Sequence, residues 1–150
     1  MTTPRGVRNN NPGNIDYNRR NAWEGQLGLE LQMGRLAPRF ARFNTPENGI
    51  RALGKLLLNY RGKDGMPGVG GPGIDTVRET INRWAPGNEN NTEAYIAAVA
   101  KKLGVKANDV INIEDPSTLR IMVGSIIAHE CANYRYPDAV FSEGVRRALT

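Results

Sequence analysis

Glu130 is the residue whose position in this sequence most needs a chemical explanation. Steps of three and four from Leu119 along one helical face lead to Val123, Ile126 and then Glu130. An acid therefore takes the last place on an apolar stripe. Two effects are expected to raise its pKa there. Burial disfavours the charged form, and the negative end of the helix dipole disfavours it again. A carboxyl group still protonated near neutral pH can act as a general acid, for instance on the leaving oxygen of a glycosidic bond. The alternative is a frayed helix end at which Glu130 turns to solvent or pairs with Arg135. Structural ion pairs perturb carboxylates too.

The neighbours of Glu130 suggest other chemistry less well. Adjacent helical residues point about 100° apart, so His129 and Glu130 do not share a face. Cys131 follows Ile127 by four and reads as a small core residue. A Cys131 nucleophile served by His129 is disfavoured, because helical residues two apart do not face each other. One Cys and one His cannot build a structural zinc site, and no metal or other cofactor is expected. A single cysteine also forms no internal disulfide.

The elements that must position Glu130 are legible from caps and periodicity. Thr45-Pro46-Glu47 starts a helix from about Pro46 to Tyr60, with Ile50, Leu53, Leu57 and Tyr60 at helical spacing. Residues 61–73 hold six Gly and two Pro and read as a loop. A second helix is predicted from about Ile74 to Trp84, stopped by Pro86-Gly87-Asn88. Thr92 or Asn91 caps a third, with Tyr95, Ile96, Val99 and Leu103 in line and Gly104 at its end. Asp115-Pro116 opens the most apolar helix, with Leu119, Met122, Val123, Ile126 and Ile127 as its stripe. A last amphipathic helix covers about Asp138 to Leu149. Residues 1–44 are rich in Asn, Gly and Arg and read as loop with room for a short β-hairpin. The fold class is mainly α, in a single domain over 1–150.

Composition narrows the function classes without choosing one. At 150 residues, 39% hydrophobic and 23% charged, the chain suits one globular core. Its net charge of +5 favours an anionic partner. Nucleic acid, the bacterial cell wall and plain solubility are all compatible with that charge. Arg and Lys are scattered through every segment, with no helix-turn-helix or zinc pattern, so nucleic acid is not the expected partner. No apolar run approaches a membrane span, and the expectation includes no membrane partner. Met-Thr-Thr-Pro-Arg-Gly lacks the apolar core of a signal peptide. Action in the periplasm or at the wall would then need delivery by a phage virion, holin-type lysis or a secretion device.

Several stretches together resemble phage and prophage virion proteins with a lysozyme-like peptidoglycan hydrolase domain. They are Pro4-Arg5-Gly6-Val7-Arg8-Asn9-Asn10-Asn11-Pro12-Gly13-Asn14-Ile15, Trp23-Glu24-Gly25, Phe43-Asn44-Thr45-Pro46-Glu47-Asn48-Gly49-Ile50-Arg51-Ala52, Ile81-Asn82-Arg83-Trp84-Ala85-Pro86, the run from Asn88 to Ile96, and Ile126-Ile127-Ala128-His129-Glu130. The chain is more distantly similar to bacterial lytic transglycosylases, in which a catalytic Glu ends a buried helix. In those proteins an Asn-Ile segment and a Thr-x-x-Tyr-Val helix follow the Glu. Here Asn14-Ile15 and Thr92-Glu93-Ala94-Tyr95-Ile96 precede it, which suggests a circularly permuted lysozyme-like fold. Relatives usually continue His-Glu with Asn-Gly, whereas this chain has Cys131-Ala132-Asn133, so the turn after the acid is expected to differ.

The resemblance implies cleavage of peptidoglycan at the MurNAc-GlcNAc β-1,4 bond, with Glu130 as the catalytic residue. Most glycosidases use two carboxylates. Candidates for a second are Glu24, Glu47, Glu89 and Glu93. Glu47 also suits a helix N-terminus for stability alone, and Glu24, the alternative acid, is equally readable as a solvated loop residue. A lytic transglycosylase needs one Glu, acting as acid and then as base, and that reading is preferred over a hydrolytic muramidase. Trp84, Tyr95, Asn14, Asn82, Asn90 and Thr92 supply the flat faces and polar groups of a sugar site. Core packing for the aromatics and turn formation for the Asn residues are the competing explanations. Peptidoglycan is the expected partner, with virion or secretion-machinery proteins beside it. A catalytically dead virion component that keeps the fold is the rival from another class.

Overall fold

The computed structural model describes residues 3–60, 62–63, 65–85 and 91–150. The described residues are mainly helical, with one small antiparallel sheet. In chain order the elements are α1 (Arg5–Arg8), β1 (Gln26–Leu29), β2 (Ala41–Phe43), α2 (Pro46–Asn59), α3 (Val77–Trp84), α4 (Thr92–Leu103), α5 (Pro116–Glu130) and α6 (Asp138–Ala148). Two compact units are formed, one from Met1–Lys55 with Ile126–Thr150 and the other from Leu56–Ser125, so the boundary falls within α2 and α5.

In the first unit the asparagine-rich opening closes on the hairpin. β1 and β2 pair Gln26 with Phe43, Gly28 with Arg42 and Leu29 with Ala41, with a bulge between Gln26 and Gly28. Asn11 is fully buried and replaces missing ladder bonds. Its amide nitrogen donates to the carbonyls of Ile15 (3.0 Å) and Ala41 (2.9 Å), and its oxygen accepts from the Ile15 N–H (3.0 Å). Such pairing is what burial demands of polar backbone. α2 lies against this opening at Gly49, where a Cβ would fall 1.7 Å from the Asn10 carbonyl oxygen. α6 is tied to α2 by Arg147, whose Nη1 donates to Asn48 Oδ1 at 3.1 Å. Ile50, Leu53, Phe43, Ile126 and Val145 are among its core residues.

The second unit keeps its ends in order by capping. Asn91 caps α4, its side chain accepting from the Ala94 N–H, and Gly104 ends the helix at φ 72°. Asp115 Oδ2 accepts from the Thr118 N–H at 3.0 Å at the start of α5. α3 begins at Val77, three residues later than its apolar spacing predicts. Thr76 is extended at φ −127°, ψ 163°, and takes the N-cap, while it bridges Val110. The Glu79 N–H donates to the Thr76 hydroxyl oxygen, and Glu79 Oε1 accepts from that hydroxyl and from the Asp75 N–H. Thr-x-x-Glu is a helix-start signal present in the sequence that periodicity alone passes over. The expected stop at Pro86-Gly87-Asn88 lies outside the described residues; α3 ends at Trp84 with Ala85 as its cap. At the N-terminus, α1 adds a helix where the sequence predicts loop, because four residues carry too little periodicity to announce one.

Candidate active site

α5 carries its apolar stripe as expected. Leu119, Met122, Val123 and Ile126 are fully buried and Ile127 nearly so. Glu130, the last residue of the helix, is half-buried rather than sunk with the stripe. The final turn emerges from the core because the chain must reverse directly after it. Ala132 and Asn133 are both left-handed, at φ 52° and 64°, and the Asn133 N–H closes back on the Ala128 carbonyl at 2.7 Å. That closure is a Schellman-type helix end, in which glycine usually holds the left-handed place. The departure at Cys131-Ala132-Asn133 thus retains a tight turn, at the cost of strain at Ala132. Ala132→Gly is expected to raise stability by about 0.5–1 kcal/mol, measured by urea denaturation.

Glu130 is joined to the opposite end of the sequence. Asn14 Nδ2 donates to Glu130 Oε2 at 3.2 Å. Asn14 holds a left-handed conformation at φ 49°, which asparagine tolerates, and its N–H donates to the Asn11 carbonyl at 2.9 Å. Its Oδ1 is buried without a hydrogen-bond partner. Gly6 of α1 packs against the same spot, where a Cβ would lie 3.0 Å from both Asn14 Oδ1 and Cys131 Sγ. Cys131 is fully buried, and its thiol donates to the Pro12 carbonyl at 3.4 Å. Burial, with the charge of Glu130 beside it, pushes that thiol up to about 11. It is a packing group and not a nucleophile. Iodoacetamide at pH 8 is expected to leave Cys131 unmodified in the folded protein and to label it in denaturant, as read by intact mass.

No protein-family model matches the chain. Over 122 residues it is 39% identical to Protein P5 of Pseudoalteromonas phage PM2, an alignment that takes in 79% of this chain and 68% of that protein. The chain belongs to the P5 family. Its kinship is therefore with a phage protein.

The remaining expected site residues of this P5-family chain are placed as follows. Glu24 is exposed in a turn, and Glu47 is half-buried in the first turn of α2. Both belong to the first unit, as Asn14 and Glu130 do. The Trp23-Glu24-Gly25 turn meets the start of α2, since a Cβ on Gly25 would lie 2.4 Å from both Asn44 Oδ1 and Asn48 Nδ2. Asn82, Trp84, Thr92 and Tyr95 belong to the second unit. Asn82 and Trp84 are half-buried at the end of α3. Thr92 donates its hydroxyl to the Ala85 carbonyl at 3.2 Å, and Tyr95 is a core residue. Asn90 lies outside the described residues.

Two buried carboxylates of this P5-family chain, Glu30 and Glu79, lie outside the residues that the sequence singles out. Glu30, 4% exposed, is clasped on every side. Oε1 accepts from Arg5 Nε (3.0 Å), Arg8 Nη2 (3.2 Å) and Asn9 Nδ2 (3.1 Å). Oε2 accepts from Arg5 Nη2 (2.5 Å) and from the N–H groups of Arg39 and Phe40 (2.9 Å each). The Arg5 hydrogen bonds overcome the opposing effect of burial and, with those backbone donors, hold the carboxyl far below the usual carboxylate range. Such a group cannot donate a proton near neutral pH. In the second unit, burial opposes the charge of Glu79, yet the N–H groups of Asp75 and Met66 and the Thr76 hydroxyl outweigh it and lower its pKa. Burial and the contact with Glu79 raise that of Asp75. Both Glu30 and Glu79 are structural ties, and neither has the credentials of an acid catalyst.

Proposed function

We propose that this P5-family protein cuts peptidoglycan glycan strands at the MurNAc-GlcNAc β-1,4 bond, as a lytic transglycosylase with a circularly permuted lysozyme-like fold. The observation that carries the reading is the 3.2 Å hydrogen bond between Asn14 and Glu130, residues 116 apart in sequence. The resemblance places a catalytic Glu and an Asn-Ile segment in one site, and here those two pieces touch. Of the acids considered, Glu130 combines a helix end, partial burial and a positioning amide.

In this mechanism the Glu130 carboxyl protonates the glycosidic oxygen as the bond to muramic C1 breaks. The resulting carboxylate then takes the proton of the muramic 6-hydroxyl, whose oxygen closes on C1 to give a 1,6-anhydro ring. No water is consumed and no second carboxylate is required. Asn14 is the positioning residue. Its amide nitrogen holds one carboxylate oxygen, which leaves the other for the substrate. Its buried Oδ1 is an acceptor in reserve, since a flipped amide can face the protonated acid. Kinship with a phage protein fits delivery by a virion or at lysis. Release of soluble glycan from purified sacculi tests the proposal. An inert protein would instead support the structural or wall-binding rival.

A further inference from the structure

The hairpin turns the wrong residues outward. Along β1 and just beyond it, Leu27, Leu29 and Leu31 alternate to the solvent side, while Glu30 between them is buried. Past the strand, Met33-Gly34-Arg35-Leu36 closes a tight turn, with Gly34 at φ 59° and the Leu36 N–H donating to the Met33 carbonyl at 3.3 Å. Gln32 fastens the turn from the side, its amide nitrogen donating to the carbonyls of Gly34 (2.9 Å) and Leu36 (2.6 Å). The tip is thus built to a shape, and it presents Leu31, Met33 and Leu36 openly. All five apolar side chains are between 42% and 63% exposed. They supply most of the large exposed hydrophobics among the described residues, gathered in ten positions. Such clustering marks an interaction surface.

The charge around the patch selects its occupant. The segment 26–43 contains Arg35, Arg39 and Arg42, and its single acid is Glu30. Arg39 is paired with the exposed Asp16 at 2.6 Å, which leaves Arg35 as the arginine of the tip. That acid is already neutralised within the fold by Arg5 and Arg8. The tip therefore offers aliphatic side chains around an arginine, with no exposed carboxylate of its own. A second copy would bring the same arginines and another net +5 against it. Glycan is a poor match, because both aromatic rings of the ribbon, Phe40 and Phe43, are buried and none is left to stack on a sugar. Aliphatic groups that enter an interface, with a guanidinium among phosphates, suit an anionic lipid bilayer. We propose that the β1–β2 hairpin docks this protein on an anionic lipid surface. The lack of a spanning helix among the described residues concerns crossing a membrane, not lying against one.

The test is co-sedimentation of the full chain with vesicles of phosphatidylcholine alone and of phosphatidylcholine with phosphatidylglycerol. Binding is expected on the anionic vesicles, weaker at high salt and weak on phosphatidylcholine. The double variant Leu31→Asn, Leu36→Asn should bind at least tenfold more weakly, and Arg35→Glu should lose most of the anionic preference. Both alter exposed positions, and an unchanged thermal melt verifies the fold. Failure of the parent to bind anionic vesicles, or equal binding by the double variant, overturns the proposal. So does a dimer in sedimentation velocity that the same double variant abolishes, since a second copy is then the occupant.

Discussion

Glu30→Ala is expected to lower stability by about 3 kcal/mol, read as a fall in the urea midpoint at pH 7. The substitution removes the acceptor for six donors at once. Arg5 and Arg8 keep some contact with water and can turn outward, which limits the loss. Asn9 Nδ2 and the Phe40 N–H are buried and cannot. A buried donor left without a partner costs about 1–3 kcal/mol. Set against a total stability of about 5–15 kcal/mol, the loss is large.

The same carboxylate sets an acid limit. Its pKa is lowered in the folded protein, so below about pH 5 the unfolded chain binds the extra proton first. The stabilisation is complete above the unfolded carboxylate value of about 4.3 and is lost as pH falls through it toward the folded value. Urea midpoints at pH 7 and pH 3 should therefore differ more for the parent than for Glu30→Ala. Equal slopes would show that Glu30 is not the charge at work.

Glu130→Gln is expected to reduce glycan release from sacculi by a factor of about 10³ or more. Glutamine keeps the shape and can still meet Asn14, but it can neither give nor take the proton. Binding to sacculi should persist, so the loss falls on turnover. Asn14→Ala should cost about 10- to 100-fold, because the acid survives but loses its hold. If Asn14→Ala equals Glu130→Gln, Asn14 does more than position. If neither variant changes activity, the site lies elsewhere.

The helices were legible because their signals are local. Asn91, Gly104 and Asp115 mark ends within a turn of the residues they serve, and the stripe of α5 repeats at helical spacing from Leu119 to Ile127. The start of α3 was misplaced because Thr76 is both a cap and a bridge to Val110, a pairing between segments 34 residues apart in the sequence. Glu30 was invisible for a stronger reason. Alternation in Leu27, Leu29 and Leu31 normally points the leucines inward, and here the order is inverted. The partners of Glu30 sit at positions 5, 8, 9, 39 and 40, which no spacing rule connects. The meeting of Asn14 with Glu130 was likewise out of reach of periodicity, and only the resemblance placed those residues in one site. The depth of Glu130 was overdrawn, because a stripe tells which face a residue occupies and not whether the chain turns away beneath it.

The most direct measurement is mass spectrometry of the glycan ends produced from purified sacculi by the parent protein and by Glu130→Gln in parallel. The parent should yield fragments ending in 1,6-anhydromuramic acid, and the variant should yield almost none. Reducing muramic ends would replace the transglycosylase by a hydrolase. Fragments released equally by both proteins would remove Glu130 from the chemistry altogether.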